Sequence, residues 1–206
     1  SSSPSVPRRP GTVGKVQAGR RIAILDPDGG TEPLAPGERG LLAVHRSDPG
    51  LMLGYWNQPE ETARVMIDGW LHTGDIAAID DEGYVRLTDR KKDLIVVSGF
   101  KVFPNEVEAC IAAHPLVADV AVLGVPDEHT GEAVRAFVVA RSQALTAEEV
   151  IAHCRSALTG YKIPRGISFV REMPKSPVGK VLRRELRTMV ESAGAMAHDS
   201  KIAMAS

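Results

Sequence analysis

The chain has 206 residues, of which 43% are hydrophobic and 25% are charged, a composition typical of a globular protein with one or two domains. Its 25 basic and 26 acidic side chains give a formal net charge of −1, which provides no overall positive field for nucleic acid or an acidic membrane surface. No apolar run approaches the ~20 residues that a membrane span needs, and residues 1–10 lack the apolar core of a secretory signal. We therefore expect a cytoplasmic protein that binds no nucleic acid.

The segment before Asp89 is predicted to be rich in short β-strands. Apolar stretches alternate with turn sequences such as Asp26–Gly30 and Asp80–Gly83, whose aspartates and glycines favour tight turns. A helical pattern is found at Pro59–Met66. The predicted strands are Arg21–Leu25, Gly40–His45, Ile76–Ile79 and Tyr84–Thr88.

After Asp89 the elements lengthen, and strands alternate with helices. Asn105 and Glu108 form a capping pattern before an amphipathic helix, which Pro115 stops. The predicted strands are Leu94–Val97, Val117–Val125, Ala133–Ala140 and Ile167–Val170. This alternation predicts a small α+β domain.

Two further helices are predicted near the end of the chain. Thr146 and Glu149 repeat the capping pattern before the first of them, and Gly160 ends it. The second begins at Val181 and runs through Arg187. One face of it carries Leu182, Leu186 and Met189, opposite Arg183, Arg184 and Arg187. We expect residues 191–206 to form a frayed, disordered tail, because they are small and polar with scattered alanines and methionines.

Cysteine and histidine usage does not indicate a metal site. Cys110 and Cys154 are far apart in sequence, and each falls on the apolar stripe of a predicted helix, so both are predicted to be buried free thiols. The six histidines lack metal-ligand spacing.

Thr73, Gly74 and Asp75 form the first of several motifs that can carry chemistry. The carboxylate of Asp75 directly follows a glycine, where the backbone can approach a ligand closely, and it could accept two hydrogen bonds from a vicinal diol. A turn-capping aspartate is the alternative.

Two motifs follow where the β-rich texture ends. The run Asp89–Asp93 would, if isolated, be a solvated link between domains. Ser98 and Gly99 lie in a loop that leads through Lys101 towards a helix, and a glycine there can lie against a narrow ligand, although a plain turn would also need one.

The loop Pro174–Lys180 ends in a lysine that a glycine-flexed segment can deliver into a cleft. The ammonium of Lys180 is a point charge suited to phosphate or carboxylate oxygens, whereas a lone lysine is usually a surface residue. Tyr55 and Trp56, in the segment Gly50–Thr62, are predicted to be packing anchors.

Taken in chain order, the motifs from Gly50–Thr62 to Pro174–Lys180 resemble the C-terminal signature of one enzyme superfamily. Its members are acyl- and aryl-CoA synthetases, luciferases and peptide-synthetase adenylation domains. The closest likeness is to fatty-acyl-CoA ligases. The resemblance implies an ATP-dependent acid–thiol ligase that forms acyl-AMP and then acyl-CoA, with a large N-terminal adenylation domain and a small mobile C-terminal lid. On this basis residues 1–89 would be the β-rich end of the large domain and residues 90–190 the α+β lid.

The resemblance also implies roles for individual residues. Lys180 would be catalytic, bridging the substrate carboxylate and the α-phosphate. Asp75 would bind the ribose hydroxyls of ATP and AMP, Arg90 the ribose or phosphate, and Lys101 the nucleotide side of the site. The CoA pantetheine would contact Ser98 and Gly99, and Lys92 would be both a nucleotide-site residue and the hinge. Asp89 stands where the family usually has glycine, which would stiffen that hinge.

Several parts of the family's architecture are absent from the sequence. The phosphate loop, the adenine-binding element with its Mg²⁺ ligand and the acyl tunnel would lie upstream, so we expect a piece of a longer protein that is inactive without its N-terminal domain. Two alternatives are an adenylation domain that loads a carrier protein and a free-standing binding or self-association module. Acyl chain length, peripheral membrane contact and homodimer formation stay open.

Overall fold

A computed structural model describes residues 7–190 of the chain. The chain divides into two compact units, Ser1–Lys92 and Asp93–Ser206, so the division falls inside the charged run at Asp89–Asp93. The predicted tail, 191–206, lies outside the described residues. Within those residues no helix is long and apolar enough to cross a membrane.

The first unit is a six-stranded antiparallel sheet with one short helix. The strand order is β1-β6-β5-β3-β2, with β4 paired to β5. The elements are β1 (Gly14–Lys15), β2 (Ile22–Leu25), β3 (Gly40–His45), α1 (Pro59–Val65), β4 (Met66–Ile67), β5 (Trp70–Ile79) and β6 (Tyr84–Arg90). Leu25, Leu41 and Ile76 are fully buried in this unit.

The turn between β5 and β6 shows why this segment folds as the sequence predicts. The Asp80 carboxylate accepts hydrogen bonds from the backbone N–H groups of Glu82 and Tyr84 at 3.1 and 2.9 Å. Gly83 adopts a φ of 84°, a left-handed conformation that glycine tolerates best. Strand β5 begins six residues before the predicted Ile76, at Trp70.

Tyr55 and Trp56 are not packing anchors within the first unit. They are 48% and 88% exposed, so that prediction is wrong for this unit. The Tyr55 N–H donates to Thr62 Oγ1 at 2.9 Å, which ties the segment to α1 and leaves both rings outside the sheet core.

The second unit is a five-stranded mixed sheet with helices. Strand β10 is central: it pairs with β9 along its length, with β7 at one end, and in parallel with β11. The elements are β7 (Ile95–Val97), β8 (Phe100–Val102), α2 (Pro104–Ala112), β9 (Val117–Asp127), β10 (Gly131–Ala140), α3 (Ala147–Ala157), β11 (Gly166–Phe169) and α4 (183–190). The predicted α+β class is confirmed.

Both faces of this second sheet are covered. Side chains alternate along β9 and β10, so Val122 and Val138 join a core with residues of α2 and α3. Leu123 and Phe137 join a second core, to which α4 contributes Leu186. The sheet is therefore the middle layer of the unit, with helices on each side.

One predicted helix cap is confirmed, whereas another cap and one helix end are wrong. The α3 capping box is confirmed: Thr146 Oγ1 accepts from the Glu149 N–H at 3.2 Å, and the Glu149 carboxylate accepts from the Thr146 N–H at 2.9 Å. The cap predicted at Asn105 is wrong, because α2 already begins at Pro104, whose missing N–H suits a first helical position. Gly160 does not end α3, which stops at Ala157.

The last helix differs from its prediction in start and orientation. It begins at residue 183, because Val181 instead forms a β-bridge with Lys175. Met189 is 46% exposed, whereas the predicted solvent-facing Arg183 is largely covered through an ion pair with Glu108.

The cysteines are free thiols in the second unit. Cys154 is buried and Cys110 is partly buried. Burial, followed by the neighbouring Cys110, raises the pKa of Cys154 to about 12, so this thiol stays protonated at physiological pH.

Candidate functional site

In the first unit, Thr73, Gly74 and Asp75 form a bulge in strand β5. Leu41 of β3 pairs with Ile76 while Ala43 pairs with His72, so three residues of β5 lie opposite the single residue between them. Gly74 has a φ of 78°, which explains the glycine. The bulge aims Asp75 away from the regular ladder.

The bulge brings Asp75 together with Arg90. The two residues are cross-strand partners in β5 and β6, and Arg90 Nε lies 2.7 Å from Asp75 Oδ1. The Arg90 side chain is 53% exposed and that of Asp75 is 27% exposed, so a ligand can reach both. Thr73 Oγ1 accepts from the Asp75 N–H at 3.2 Å and donates to Leu42 O at 2.8 Å, fixing the loop that carries the carboxylate.

Lys92 is the last residue of the first unit. It lies in a single 3₁₀ turn, Lys91–Asp93, directly after β6, and is exposed. Partial burial and then the charge of Lys91 lower the pKa of His72 in the same unit, so its ring is neutral at physiological pH.

In the second unit, Ser98 and Gly99 form the two-residue turn of the β7–β8 hairpin. Both have positive φ, 50° and 83°, as a tight hairpin turn requires. Both are exposed, and a Cβ at Gly99 would meet nothing within 4 Å. The predicted strand-to-helix turn is thus a hairpin, with β8 intervening before α2 and Lys101 partly buried on β8.

An aromatic pair beside this hairpin went unnoticed in the sequence. Phe100 is 57% exposed and stacks on Tyr161, with ring centroids 4.9 Å apart. Lys162, next to Tyr161, pairs with Glu106 of α2 at 2.5 Å. Only tertiary structure joins residues so distant in sequence.

Lys180 lies at the end of an ordered hairpin turn. The Gly179 N–H donates to Ser176 O at 2.8 Å, and the Ser176 N–H donates to Lys180 O at 2.8 Å. The Ser176 hydroxyl accepts from the Lys180 N–H at 3.2 Å, and Gly179 has a φ of 80°. The lysine is exposed on the turn, while its backbone is fixed.

The predicted residues of the second unit therefore fall on two separate hairpins, one with Ser98 and Gly99 and one with Lys180. Within residues 7–190, no group of three or more histidine, cysteine or acidic side chains could hold a metal ion.

Comparison with known proteins identifies the region that ends at Lys180. Residues 106–180 match the family model of the AMP-binding enzyme C-terminal domain. Residues 106–180 are an AMP-binding enzyme C-terminal domain. The resemblance to adenylate-forming enzymes predicted from the motifs is thereby confirmed.

Curated relatives of the AMP-binding C-terminal domain include fatty-acid ligases. The chain is 49% identical over 177 residues to a long-chain-fatty-acid–CoA ligase of Salmonella typhimurium, covering 86% of this chain and 31% of the relative. It is 44% identical over 179 residues to the Bacillus subtilis protein of the same name, covering 86% of this chain and 31% of that relative. The chain thus spans about a third of the length of these relatives.

Solved structures agree with this assignment. ATP-bound MatB from Rhodopseudomonas palustris superposes with a TM-score of 0.80 at 35% identity, over 90% of this chain and 37% of that one. The o-succinylbenzoate CoA synthetase MenE of Bacillus subtilis, in complex with the acyl-adenylate intermediate OSB-AMP, superposes with a TM-score of 0.71 at 31% identity, over 86% and 35%. The first of these structures holds ATP and the second holds an acyl-adenylate.

Proposed function

We propose that the chain is the C-terminal part of an ATP-dependent ligase that joins a fatty acid to CoA through acyl-AMP, in the cytoplasm. The observation that carries the proposal is the ordered hairpin of Lys180 inside an AMP-binding C-terminal domain. The names of the curated relatives support fatty acid as the substrate class.

The reaction proposed for the whole protein has two steps. A carboxylate oxygen attacks the α-phosphorus of ATP, the bond to pyrophosphate breaks, and acyl-AMP forms. The CoA thiol then gives up its proton and attacks the acyl carbon, and AMP leaves with the electrons of the broken anhydride bond. Domain alternation would let one site serve both steps.

Lys180 is proposed to act in the first step. Its ammonium, on an exposed stem, would lie between the attacking carboxylate and the α-phosphate and stabilise the negative charge that develops on the phosphate oxygens. A fixed donor of this kind typically contributes about 10²–10³ in rate.

The remaining residues are proposed to bind substrates. The Asp75 carboxylate would accept from the ribose hydroxyls, and Arg90, already 2.7 Å from it, would contact the ribose or phosphate beside it. Lys92, at the unit boundary, would be the hinge and would also lie near the nucleotide. Lys101 would lie near the nucleotide only. Ser98 and Gly99 would let pantetheine pass close to an exposed, narrow turn.

The partner of this chain would be the N-terminal domain of the same protein. Leu53 and Trp56 are 106% and 88% exposed, and we propose that they pack against that domain. Mg²⁺, which would neutralise the phosphates of ATP, is proposed to bind there, and no residue of this chain is assigned to it. We expect no turnover from this chain alone.

The test is Lys180→Ala in the full-length protein. Acyl-AMP formation, measured as fatty-acid-dependent ATP–pyrophosphate exchange, should fall about 10²–10³-fold. Formation of the thioester from synthetic acyl-AMP should persist, because Lys180 is proposed to stabilise negative charge only in the first step. Arg187→Ala, which removes an exposed cation from the same segment, is the control and should change neither step. Unchanged exchange in Lys180→Ala would refute the proposal.

A further inference from the structure

Lys180 lies between two ion pairs that reach different parts of the second unit. Five residues before it, Lys175 Nζ lies 2.6 Å from Asp119 Oδ2 on β9. Three residues after it, Arg183 Nη2 lies 2.7 Å from Glu108 Oε1 on α2. Both ends of the segment that carries Lys180 are thus tied to the core elements.

The pair on the C-terminal side is well covered. The side chains of Arg183 and Glu108 are 23% and 18% exposed. Glu108 Oε1 also accepts from the Val122 N–H at 2.8 Å, and Arg183 Nε lies 3.5 Å from Val122 O. Arg183 is therefore held to α2 and β9 together, and removing one partner would leave a poorly compensated charge.

The pair on the N-terminal side is more open. The side chains of Lys175 and Asp119 are 43% and 33% exposed, and Asp119 Oδ1 accepts from the Val120 N–H at 2.9 Å. Solvent weakens such a pair, so it restrains the hairpin less than the Arg183 pair does.

We propose that Glu108 and Asp119 are positioning residues for Lys180, acting through Arg183 and Lys175. The proposal rests on the proposed function of Lys180. A lysine side chain is long and flexible, so the place of its backbone decides where the ammonium can reach. Misplacing a catalytic group by about 1 Å can cost about 100-fold in rate.

The main test is Arg183→Gln in the full-length protein, with Arg184→Gln as its matched control. Arg184 is the adjacent residue of the same helix and is exposed. In Arg183→Gln, kcat for acyl-AMP formation should fall about 10-fold, with the KM for ATP and the thioester step from synthetic acyl-AMP unchanged. Arg184→Gln should match the unaltered protein.

Glu108→Gln provides a second variant, since it keeps an oxygen acceptor for the Val122 N–H while losing the charge. It should lower the same kcat, and the Glu108→Gln/Arg183→Gln double variant should lose little more than either single one. Asp119→Asn should have a smaller effect, about 2-fold, because its pair is more exposed.

Two outcomes would overturn the inference. An equal loss in both half-reactions would mean that these residues only stabilise the unit, and an Arg183→Gln effect no larger than that of Arg184→Gln would mean that the pair has no role. Lys180→Ala separates the positioning role from the proposed function. If Lys180→Ala abolishes pyrophosphate exchange while Arg183→Gln and Glu108→Gln do not lower it, the proposed function stands and the positioning role fails. If Lys180→Ala has no effect, both fail.

Discussion

Asp127 shows how single carboxylates fix turns in the second unit. It lies where β9 ends, and its Oδ1 accepts from the Thr130 hydroxyl at 2.7 Å and from the backbone N–H groups of Thr130 and His129 at 2.9 and 3.1 Å. Arg165 pairs with the other oxygen at 2.8 Å. These hydrogen bonds, the Thr130 hydroxyl first, lower the pKa of Asp127 to about 2.

This lowered pKa predicts a pH-dependent contribution to stability. The folded value lies below the ordinary value of 3.8, so the contribution is complete above about pH 4 and is lost as the pH falls towards 2. Asp127→Asn should therefore lower the melting temperature at neutral pH, and the difference from the unaltered chain should shrink in acid. Thermal unfolding followed at several pH values measures this.

Glu128→Gln is the control for that experiment, because Glu128 is the exposed neighbour in the same turn. It should leave the melting temperature almost unchanged at every pH. A constant difference between Asp127→Asn and the unaltered chain down to about pH 2 would contradict the assignment.

At the scale of elements, the two long helices of the second unit start in different ways. Helix α3 carries its own capping box, whereas α2 begins with Pro104 after Phe103 and has no side-chain cap. The start of α3 is therefore set by local hydrogen bonds, while the start of α2 depends on the ring of Pro104 and on packing.

Thr146→Ala tests the local contribution to α3. Loss of the hydroxyl leaves the Glu149 N–H without its acceptor, so the free energy of unfolding should fall by about 1 kcal/mol. Urea denaturation followed by circular dichroism measures it. Thr146→Ser keeps the hydroxyl and should recover most of the loss; equal losses in the two variants would show that the cap contributes nothing.

How far the sequence predicts an element depends on whether its determinants are local. Strand β3 has its predicted bounds, Gly40–His45, because a short continuous apolar run between turn sequences defines it. The early start of β5 is not predicted, because the bulge at Thr73–Asp75 puts polar residues and a glycine in the middle of the strand.

The candidate site divides in the same way. Motif and resemblance predicted Asp75, Arg90 and Lys180, but their surroundings were not predicted. Arg183 was placed on the solvent face because its partner, Glu108, is 75 residues away in sequence. Helical periodicity carries no information about such a pair.

For the whole molecule, the notable feature is that each unit has its own buried core. Leu25 and Ala43 lie in a core of the first unit, and Ile95 and Val122 in a core of the second. Lys91 and Lys92, at the division, are exposed. Units with separate cores are expected to resist proteolysis better than the segment that joins them.

Limited trypsin digestion of this chain should therefore cut after Lys91 or Lys92 before it cuts within either core. Two protected fragments, separating near the unit boundary, should be identified by mass spectrometry. Lys91→Gln/Lys92→Gln should slow this first cut without altering later ones. Earlier cleavage inside β10, for example after Arg135, would contradict the independence of the second core.

The turn at Ser176–Lys180 has a consequence for the energetics of ligand binding. Its backbone and hydroxyl bonds form entirely within the chain, so the loop loses its conformational entropy once, during folding. A ligand that meets Lys180 then orders little more than the lysine side chain itself. A flexible loop would lose conformational entropy on binding, which would weaken affinity, and this ordered turn avoids most of that loss.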